Sequence, residues 1–368
     1  MVERPRFSIL MPTHSGVDVI GHAIQSVLDQ TEPDFELLVV GDGCAAGTED
    51  IVSGFGDPRI RFFDLPKAAY FGYANRNVAL REARGSLIAF AADDDLWFPD
   101  HLAKLGHVLA RGAALAYSPA LWVSTDGVIA PFLTNLELDD ELEDFLGRYN
   151  TLCANCIVYR ADSLPRLDAW PEDVPAAADW RLWHKIIRAN PGHPVEYCRI
   201  PTVLHFSARR KQSRHANSGY LAVLLEIADG AGWWPAALRV AIPEGVAEQA
   251  VIADLMRADP SGWTQAVRQA SGDLTARLAR DFVMTGRPLM KRAEHELAVV
   301  RHEVEVLAGR LAEKERAAEE SAALQAHELG AVRSERDARV HELEAIRSST
   351  SWRITGPLRS AITALRRL

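Results

Sequence analysis

Cysteine is scarce in this chain. Four residues among 368, Cys44, Cys153, Cys156 and Cys198, cannot supply a disulfide framework for a protein this long. Cys153 and Cys156 form a C-x-x-C, but no second pair completes four zinc ligands and the apolar run "CIVYR" follows directly, so both read as small buried side chains. Long apolar runs are missing too. No stretch approaches the roughly 18 apolar residues of a membrane-spanning helix, and the start "MVERPRFSILMPTHSG" lacks the apolar region and small-residue cleavage site of a signal peptide. The expected location is the cytoplasm. Positive charge is not in surplus: a formal net charge of −9 argues against coating nucleic acid, and no nucleic-acid partner is expected. Neither a Walker loop nor a G-x-G-x-x-G fingerprint occurs, which argues against P-loop ATPases and dinucleotide enzymes. A nucleotidyltransferase would also want a glycine- and basic-rich phosphate loop near the start, and none is there.

What is present is a globular composition, 48% hydrophobic and 25% charged, enough for at least one substantial core. The first hundred residues alternate strand and helix. "FSILMP" and "FELLVV" suit strands buried on both faces, "RIRFFDL" alternates, and "GSLIAFAA" is a fourth strand; between them Val17 to Gln30 and Tyr73 to Arg84 carry a helical period. This order implies an α/β fold with a mostly parallel sheet flanked by helices, whose ligands meet the carboxyl ends of the strands. From Ala113 to Ser207 the pattern is less regular, with strands at "ALAYS" and "NCIVYR" and a helix at "AAADWRLWHKIIRAN" that stops before Pro191. This stretch extends the first sheet, and the α/β domain is placed at 1–218.

Residues 219–287 read as a small helical region, Ala- and Leu-rich with Trp233, Trp234 and Trp263 and breaks near Pro243 and Pro260. From Leu289 to Arg347 there is no proline. Leu297, Val300, Val304, Leu307 and Leu311 recur at alternating spacings of three and four, and Leu329, Val332, Leu343 and Ile346 resume the pattern. A coiled-coil helix over 288–348 is expected, about 90 Å long if continuous, joining copies into a homo-oligomer or else folding back on the protein. The end, 349–368, "SWRITGPLRSAITALRRL" with its neighbours, carries four arginines and no acid. Trp352, Ile354, Leu358, Ile362 and Leu365 could share one helix face, the build of a tail lying on an anionic membrane surface, though basic residues also simply compensate a helix dipole.

The unusual feature is "FAADDDLWFPDHL", with Asp93, Asp94 and Asp95 in succession between an apolar strand and a helix that Pro99 is placed to open. Helix capping accounts for one or two acids there, not readily for three. A divalent cation would resolve the repulsion: Mg²⁺ or Mn²⁺ takes one or two carboxylates and completes its shell with water and substrate phosphates. Two further clusters, "MPTHSG" and "VVGDGC", close the first and second strands where a ligand would sit.

The series "FSILMPTHSG…AIQSVLDQTEPDFELLVVGDGCAAGT…ANRNVALREARGSLIAFAADDDLWFPDHL…AADWRLWHKI" resembles the nucleotide-diphospho-sugar glycosyltransferases of the GT-A type, specifically the large inverting family 2. The likeness covers about residues 5–215, four motifs in the family's order. The closing "SWRITGPLR" is similar to a tail on bacterial surface-polysaccharide transferases. The resemblance implies a GT-A, Rossmann-like fold and a metal-dependent inverting transfer of sugar from a nucleotide-diphosphate donor to a glycan, lipid-linked or protein acceptor. It implies that Pro12, Thr13, His14 and Asp42 hold the base, that Arg76 and Asn77 contact ribose or phosphates, and that Asp93 and Asp94 reach the donor. Asp94 and Asp95 would hold Mn²⁺ or Mg²⁺, with His205 either a further ligand or a core histidine. Asp179 would be the general base, although an N-cap role before "WRLWHKI" is open to it as well. Arg209, Arg210, Lys211 and Arg214 would steer phosphates or lie on solvated surface.

Three positions depart from the family pattern. Gly41-Asp42-Gly43 replaces Asp-Asp-Gly, Ala92 stands over the first Asp of the D-x-D-D alignment, and Ala178 replaces a Glu before the base. A rival reading is a non-catalytic scaffold on a degenerate transferase domain, working through its coiled coil. Intact Asp94, Asp95 and Asp179 favour the enzyme. On either reading the chain is cytoplasmic, with peripheral contact at the inner face of the membrane if the tail binds lipid.

Overall fold

A computed structural model describes residues 4–206, 219–320 and 326–348; Arg209, Arg210, Lys211, Arg214 and the tail 349–368 lie outside the described residues. Eleven strands form among them: β1 (Phe7–Thr13), β2 (Phe35–Gly41), β3 (Ile60–Phe63), β4 (Leu87–Phe90), β5 (Leu96–Trp97), β6 (Leu115–Tyr117), β7 (Ala120–Val123), β8 (Ile129–Pro131), β9 (Ile157–Arg160), β10 (Val195–Tyr197) and β11 (Val203–Phe206). Seven make the main sheet in the order β10-β6-β9-β4-β1-β2-β3, and four make a second sheet, β5-β11-β7-β8. The pairs β1–β2, β1–β4, β2–β3 and β6–β10 are parallel; β9 alone runs against its neighbours β4 and β6. The helices are α1 (Ile20–Leu28), α2 (Thr48–Gly54), α3 (Tyr73–Arg81), α4 (His101–Leu109), α5 (Asp139–Gly147), α6 (Ala178–Ala189), α7 (Gly219–Gly230), α8 (Glu248–Ala258), α9 (Pro260–Asp281), α10 (Arg287–Glu320) and α11 (Ala326–Ser348). The expected α/β fold, a mostly parallel sheet between helical layers, is what the chain adopts.

The continuous apolar runs make sense because the sheet is covered on both sides. Side chains alternate along a strand. Phe7, Ile9 and Met11 of β1 and Leu37 and Val39 of β2 join one core with α1 and α4, while Leu10, Leu38 and Val40 join the other with α3 and α6. One acid interrupts this pattern. Glu36, buried in β2, accepts from Ser8 Oγ, Arg61 Nη1 and the backbone and side chain of Arg84. Burial alone would raise its pKa, but these donors together hold it below the ordinary carboxylate value.

Register fixes where the ligand-facing ends lie. Phe7 pairs with Phe35 and Thr13 with Gly41, so β1 and β2 finish level and His14 and Asp42 leave the sheet side by side. β4 ends earlier, with Phe90 opposite Leu10, and the chain turns out of the sheet through Asp93–Asp95 before β5 joins the second sheet.

By contacts, residues 1–273 form one compact unit and 274–368 a second. In the first unit α8 packs on α1. Arg268 of α9 forks onto Asp100 with Nη1 and Nη2 at 2.8 and 2.6 Å and donates Nε to the Pro201 carbonyl at 2.7 Å. Helical sequence after 218 is thus continuous with the α/β core. In the second unit α10 spans 34 residues, about 50 Å, and α11 packs along it. Arg339 Nε of α11 meets Glu303 Oε2 of α10 at 3.3 Å, so the second helix returns beside the first. Leu297, Val300, Leu307 and Leu311 of the expected seam are buried within this chain, in place of one rod of 90 Å.

Candidate active site

A cleft of about 400 Å³ opens at the carboxyl ends of β1 and β2, lined by Pro12, Thr13, His14, Asp42, Arg76 and Asp93 among others. Thr13 donates its hydroxyl to Asp93 Oδ2 at 2.7 Å, joining the first strand end to the acid turn. Gly16 makes the approach possible: a β-carbon there would lie 2.2 Å from Asp93 Oδ2. His14 Nδ1 lies 2.7 Å from the Asp42 carbonyl, and the Asp42 amide donates to the Thr13 carbonyl at 3.0 Å.

Asp42 has a different task from its neighbours. Its carboxylate accepts from the Ala68 amide at 2.7 Å, from Asn75 Nδ2 at 2.8 Å and from Lys67 Nζ, which also donates to the carbonyls of Ala68 and Tyr70. Gly72, at φ +72°, lies against it so closely that a β-carbon would sit 2.5 Å from Asp42 Cγ. Asp42 thereby organises the loop 67–72. That loop holds Tyr70, itself at φ +56°, and Phe71 with 51% and 62% of their surfaces exposed at the cleft mouth. A non-glycine residue in the left-handed region costs of order 1–3 kcal/mol, which the anchored loop must offset.

Arg76, on α3, lies over the rings of Tyr73 and Trp170 at 5.0 and 4.5 Å. It donates Nη2 to the Phe71 carbonyl at 3.2 Å, while its buried Nε has no hydrogen-bond partner. Burial lowers its pKa, against the pull of Tyr73, Asp179, Asp42 and Asp93. An arginine stays charged regardless. Asn77, one residue on, is turned elsewhere: Nδ2 donates to the Trp170 carbonyl and Glu172, and Oδ1 accepts from the Trp170 amide. It fixes the tryptophan on which Arg76 rests, and the cleft lining does not include it.

The three acids of the turn part company. Asp93 and Asp94 are half-buried, whereas Asp95 is only 4% exposed. Asp95 accepts from Phe206 N at 2.8 Å and from Asn155 Nδ2, and it meets His205 Nδ1 at 2.7 Å. Burial would lower the His205 pKa, but the Asp95 carboxylate, with Cys153 and Asp94, lifts it to about 10. Nδ1 is taken up by the Asp95 carboxylate, and in such a carboxylate–histidine pair the other ring nitrogen is the one a metal would use. Asp95 and His205 are brought together as partners of each other, fastening the turn to β11. Among the described residues no group of three or more His, Cys, Asp and Glu is arranged to hold a metal ion. Mg²⁺ or Mn²⁺ needs only one or two carboxylates when phosphate supplies the rest; Asp93 lines the cleft and Asp94 is half-exposed beside it.

Asp179 lies in the first turn of α6, after Ala177 at φ +55°. Its Oδ2 accepts from Asn150 Nδ2 at 3.1 Å. Burial raises its pKa above the ordinary aspartate value, opposed by the Trp180 amide, Arg76 and Asn150. A carboxylate made more basic by its surroundings is suited to accept a proton. The four cysteines are free thiols, with Cys156 and Cys198 buried.

Several residues here carry no local signal. Lys67 and Asn75 lie 25 and 33 positions from Asp42, and Asn155 lies 60 from Asp95. Asn155 sits inside the C-x-x-C, where the cysteines draw attention from the asparagine that matters.

Residues 8–159 match the family model for Glycosyl transferase family 2. The putative teichuronic acid biosynthesis glycosyltransferase TuaG of Bacillus subtilis is 33% identical over 127 residues, 34% of this chain and 50% of that protein. The Escherichia coli protein named UDP-Glc:alpha-D-GlcNAc-diphosphoundecaprenol beta-1,3-glucosyltransferase WfgD is 29% identical over 187 residues, 50% of this chain and 70% of its own length. The chain thus spans from about half to under three-quarters of these two relatives. Among solved structures, the mannosyltransferase PcManGT from Pyrobaculum calidifontis, in complex with GDP-Man and Mn²⁺, aligns with a TM-score of 0.47 at 18% identity, covering 98% of this chain and 87% of that one. Residues 8–159 are thus a glycosyl transferase family 2 domain.

Proposed function

We propose that the protein is a metal-dependent inverting glycosyltransferase that moves a sugar from a nucleotide-diphosphate donor to an acceptor hydroxyl in the assembly of a bacterial surface polysaccharide. The observation that carries this reading is Arg76: a half-buried guanidinium, held against Tyr73 and Trp170 and with an unpartnered Nε, lines a cleft whose other walls are Thr13, Asp42 and Asp93. A cation fixed in such a place suits an anionic ligand, and a diphosphate supplies one. The exposed faces of Tyr70 and Phe71 offer a flat surface beside the end where Pro12, Thr13 and His14 would meet the base.

Asp93 and Asp94 would hold Mn²⁺ or Mg²⁺, which when bound stabilises negative charge growing on the departing diphosphate. Arg76 adds positive charge beside the diphosphate, already fixed in place by Tyr73 and Trp170. Asp179 takes the proton of the acceptor hydroxyl as its oxygen bonds to the anomeric carbon; the bond from that carbon to the phosphate oxygen breaks on the opposite face, and the configuration inverts. The WfgD name, with its diphosphoundecaprenol, supports a lipid-linked glycan as acceptor here. A lipid-linked acceptor would place the chain at the inner face of the membrane with the basic tail 349–368 as its contact. No helix among the described residues is long and apolar enough to cross one.

The test is a thermal-shift and hydrolysis screen of UDP-, GDP-, dTDP- and CMP-sugars with and without Mn²⁺. One donor should stabilise the full chain in the presence of the metal, and Arg76→Met should weaken its binding by about 1.5–3 kcal/mol, roughly ten- to a hundredfold. No stabilisation by any of them would overturn the reading in favour of a scaffold.

A further inference from the structure

A polar contact reaches the acid turn from the helices that follow residue 218. Gln249, on α8, donates Nε2 to the backbone carbonyl of Asp94 at 3.1 Å across 155 residues of sequence. We propose that Gln249 is a positioning residue for the candidate site, an amide strut by which α8 sets the backbone of the Asp93–Asp95 turn.

Three observations lead there. The turn is held in front by Thr13 on Asp93 and behind by His205, Asn155 and Phe206 on Asp95, and both of those grips act on side chains. The Asp94 carbonyl between them is gripped by Gln249, so rotation of the peptide that aims Asp94 is opposed by the strut. Gln249 is also only 3% exposed, and its Oε1 has no partner. A buried acceptor left unsatisfied costs about 1–3 kcal/mol, which an apolar side chain of the same size would avoid. The amide is thus unfavourable as packing and makes sense as a donor to Asp94. Finally, the helical segment is fixed by other contacts. α8 packs on α1, and Arg268 of α9 locks to Asp100 and Pro201 by three hydrogen bonds. A support anchored elsewhere can hold a turn still without depending on it.

The consequence for catalysis rests on the transferase reading above; control of the turn by Gln249 does not. The experiment separates the two. Full-length wild type, Gln249→Met and the equal-sized Gln249→Glu are compared by amide hydrogen exchange and by calorimetric binding of Mn²⁺ with UDP and with GDP. Peptides spanning 91–97 should exchange about tenfold faster in Gln249→Met and at least as fast in Gln249→Glu, where a carboxylate opposes the Asp94 carbonyl, while α8, α9, β1 and β2 keep wild-type protection. Affinity for whichever nucleotide the wild type binds should fall about tenfold. Unchanged exchange over 91–97 overturns the proposal. So does faster exchange spread equally over 91–97, α8 and α9, since that means lost docking of the helix. Should wild type bind neither of these nor any dTDP- or CMP-sugar, the transferase reading fails, and the exchange result alone decides on the strut.

Discussion

Asp179 shows how one residue can serve chemistry at the expense of stability. Its carboxyl is half-buried and its pKa is raised by that burial, so the folded chain tolerates the charge less readily than water does. The sign follows from proton linkage: the folded state holds its proton to higher pH than the unfolded state, and stability is lost as pH rises through the folded value. At pH 7 the ionised group is a burden that asparagine would lift. Asp179→Asn should therefore melt a few degrees higher than wild type at pH 7, roughly the shift that 1 kcal/mol produces, while donor affinity stays near normal and transfer falls about 10²–10⁴-fold. Thermal melts, calorimetry and transfer assays on one preparation check all three. Lower stability with intact transfer would show that the carboxylate caps α6 and nothing more. The sequence made this aspartate visible through its motif. It could not show that Ala177 before it sits at φ +55°, because nothing in "AAAD" demands a left-handed residue.

Among the elements, the join between β5, α4 and β11 was the least legible. "DDDLWFPDHL" reads as acids followed by a helix start, yet the packing is centred on His101. That ring is fully buried, stacked on Trp97 at 4.0 Å, with Nδ1 2.7 Å from Thr202 Oγ1, whose oxygen also meets Ser118 Oγ at 2.6 Å. Threonine and serine so far along the chain give no periodic signal, and this is why the network is invisible in sequence while the strand and helix periods around it are not. Burial depresses the His101 pKa to about 3. An unfolded histidine takes its proton near 6.5, so between that value and about 3 the unfolded state binds the extra proton and stability falls as pH is lowered. Going from pH 7 to pH 5 should cost about 2 kcal/mol through this group alone. Urea unfolding at the two pH values, on wild type and His101→Gln, isolates the contribution: the variant should lose less on acidification, and equal losses would show that the ring is protonated without penalty.

At the scale of the whole chain, period and composition announced the helices of the second half but not their partners. The heptad seam of Leu297, Val300 and Leu307 is a statement about one face of one helix, and a neighbour in the same chain satisfies it as well as a second copy does. α11 is that neighbour here. The stretch after residue 218 poses the same problem, because Ala- and Leu-rich helices pack on anything apolar. Its buried side chains include Leu221, Leu224, Trp234, Leu238, Ile252, Met256 and Val267. At about 1.5–3 kcal/mol each, those seven account for roughly 10–20 kcal/mol of burial. That matches the whole net stability of an ordinary domain, about 5–15 kcal/mol. A chain ending at Ser218 would also lose the Arg268 fork on Asp100 and the Gln249 contact with Asp94. A chain ending at Asp273 keeps all of them, since residues 1–273 close on themselves as one unit. The expected result is a cooperative melt and near-native Mn²⁺–nucleotide binding for 1–273, and for 1–218 aggregation or a broad transition at least about 10 °C lower. If 1–218 melts as sharply and at the same temperature as 1–273, the helices after 218 are passengers on a core that needs none of them.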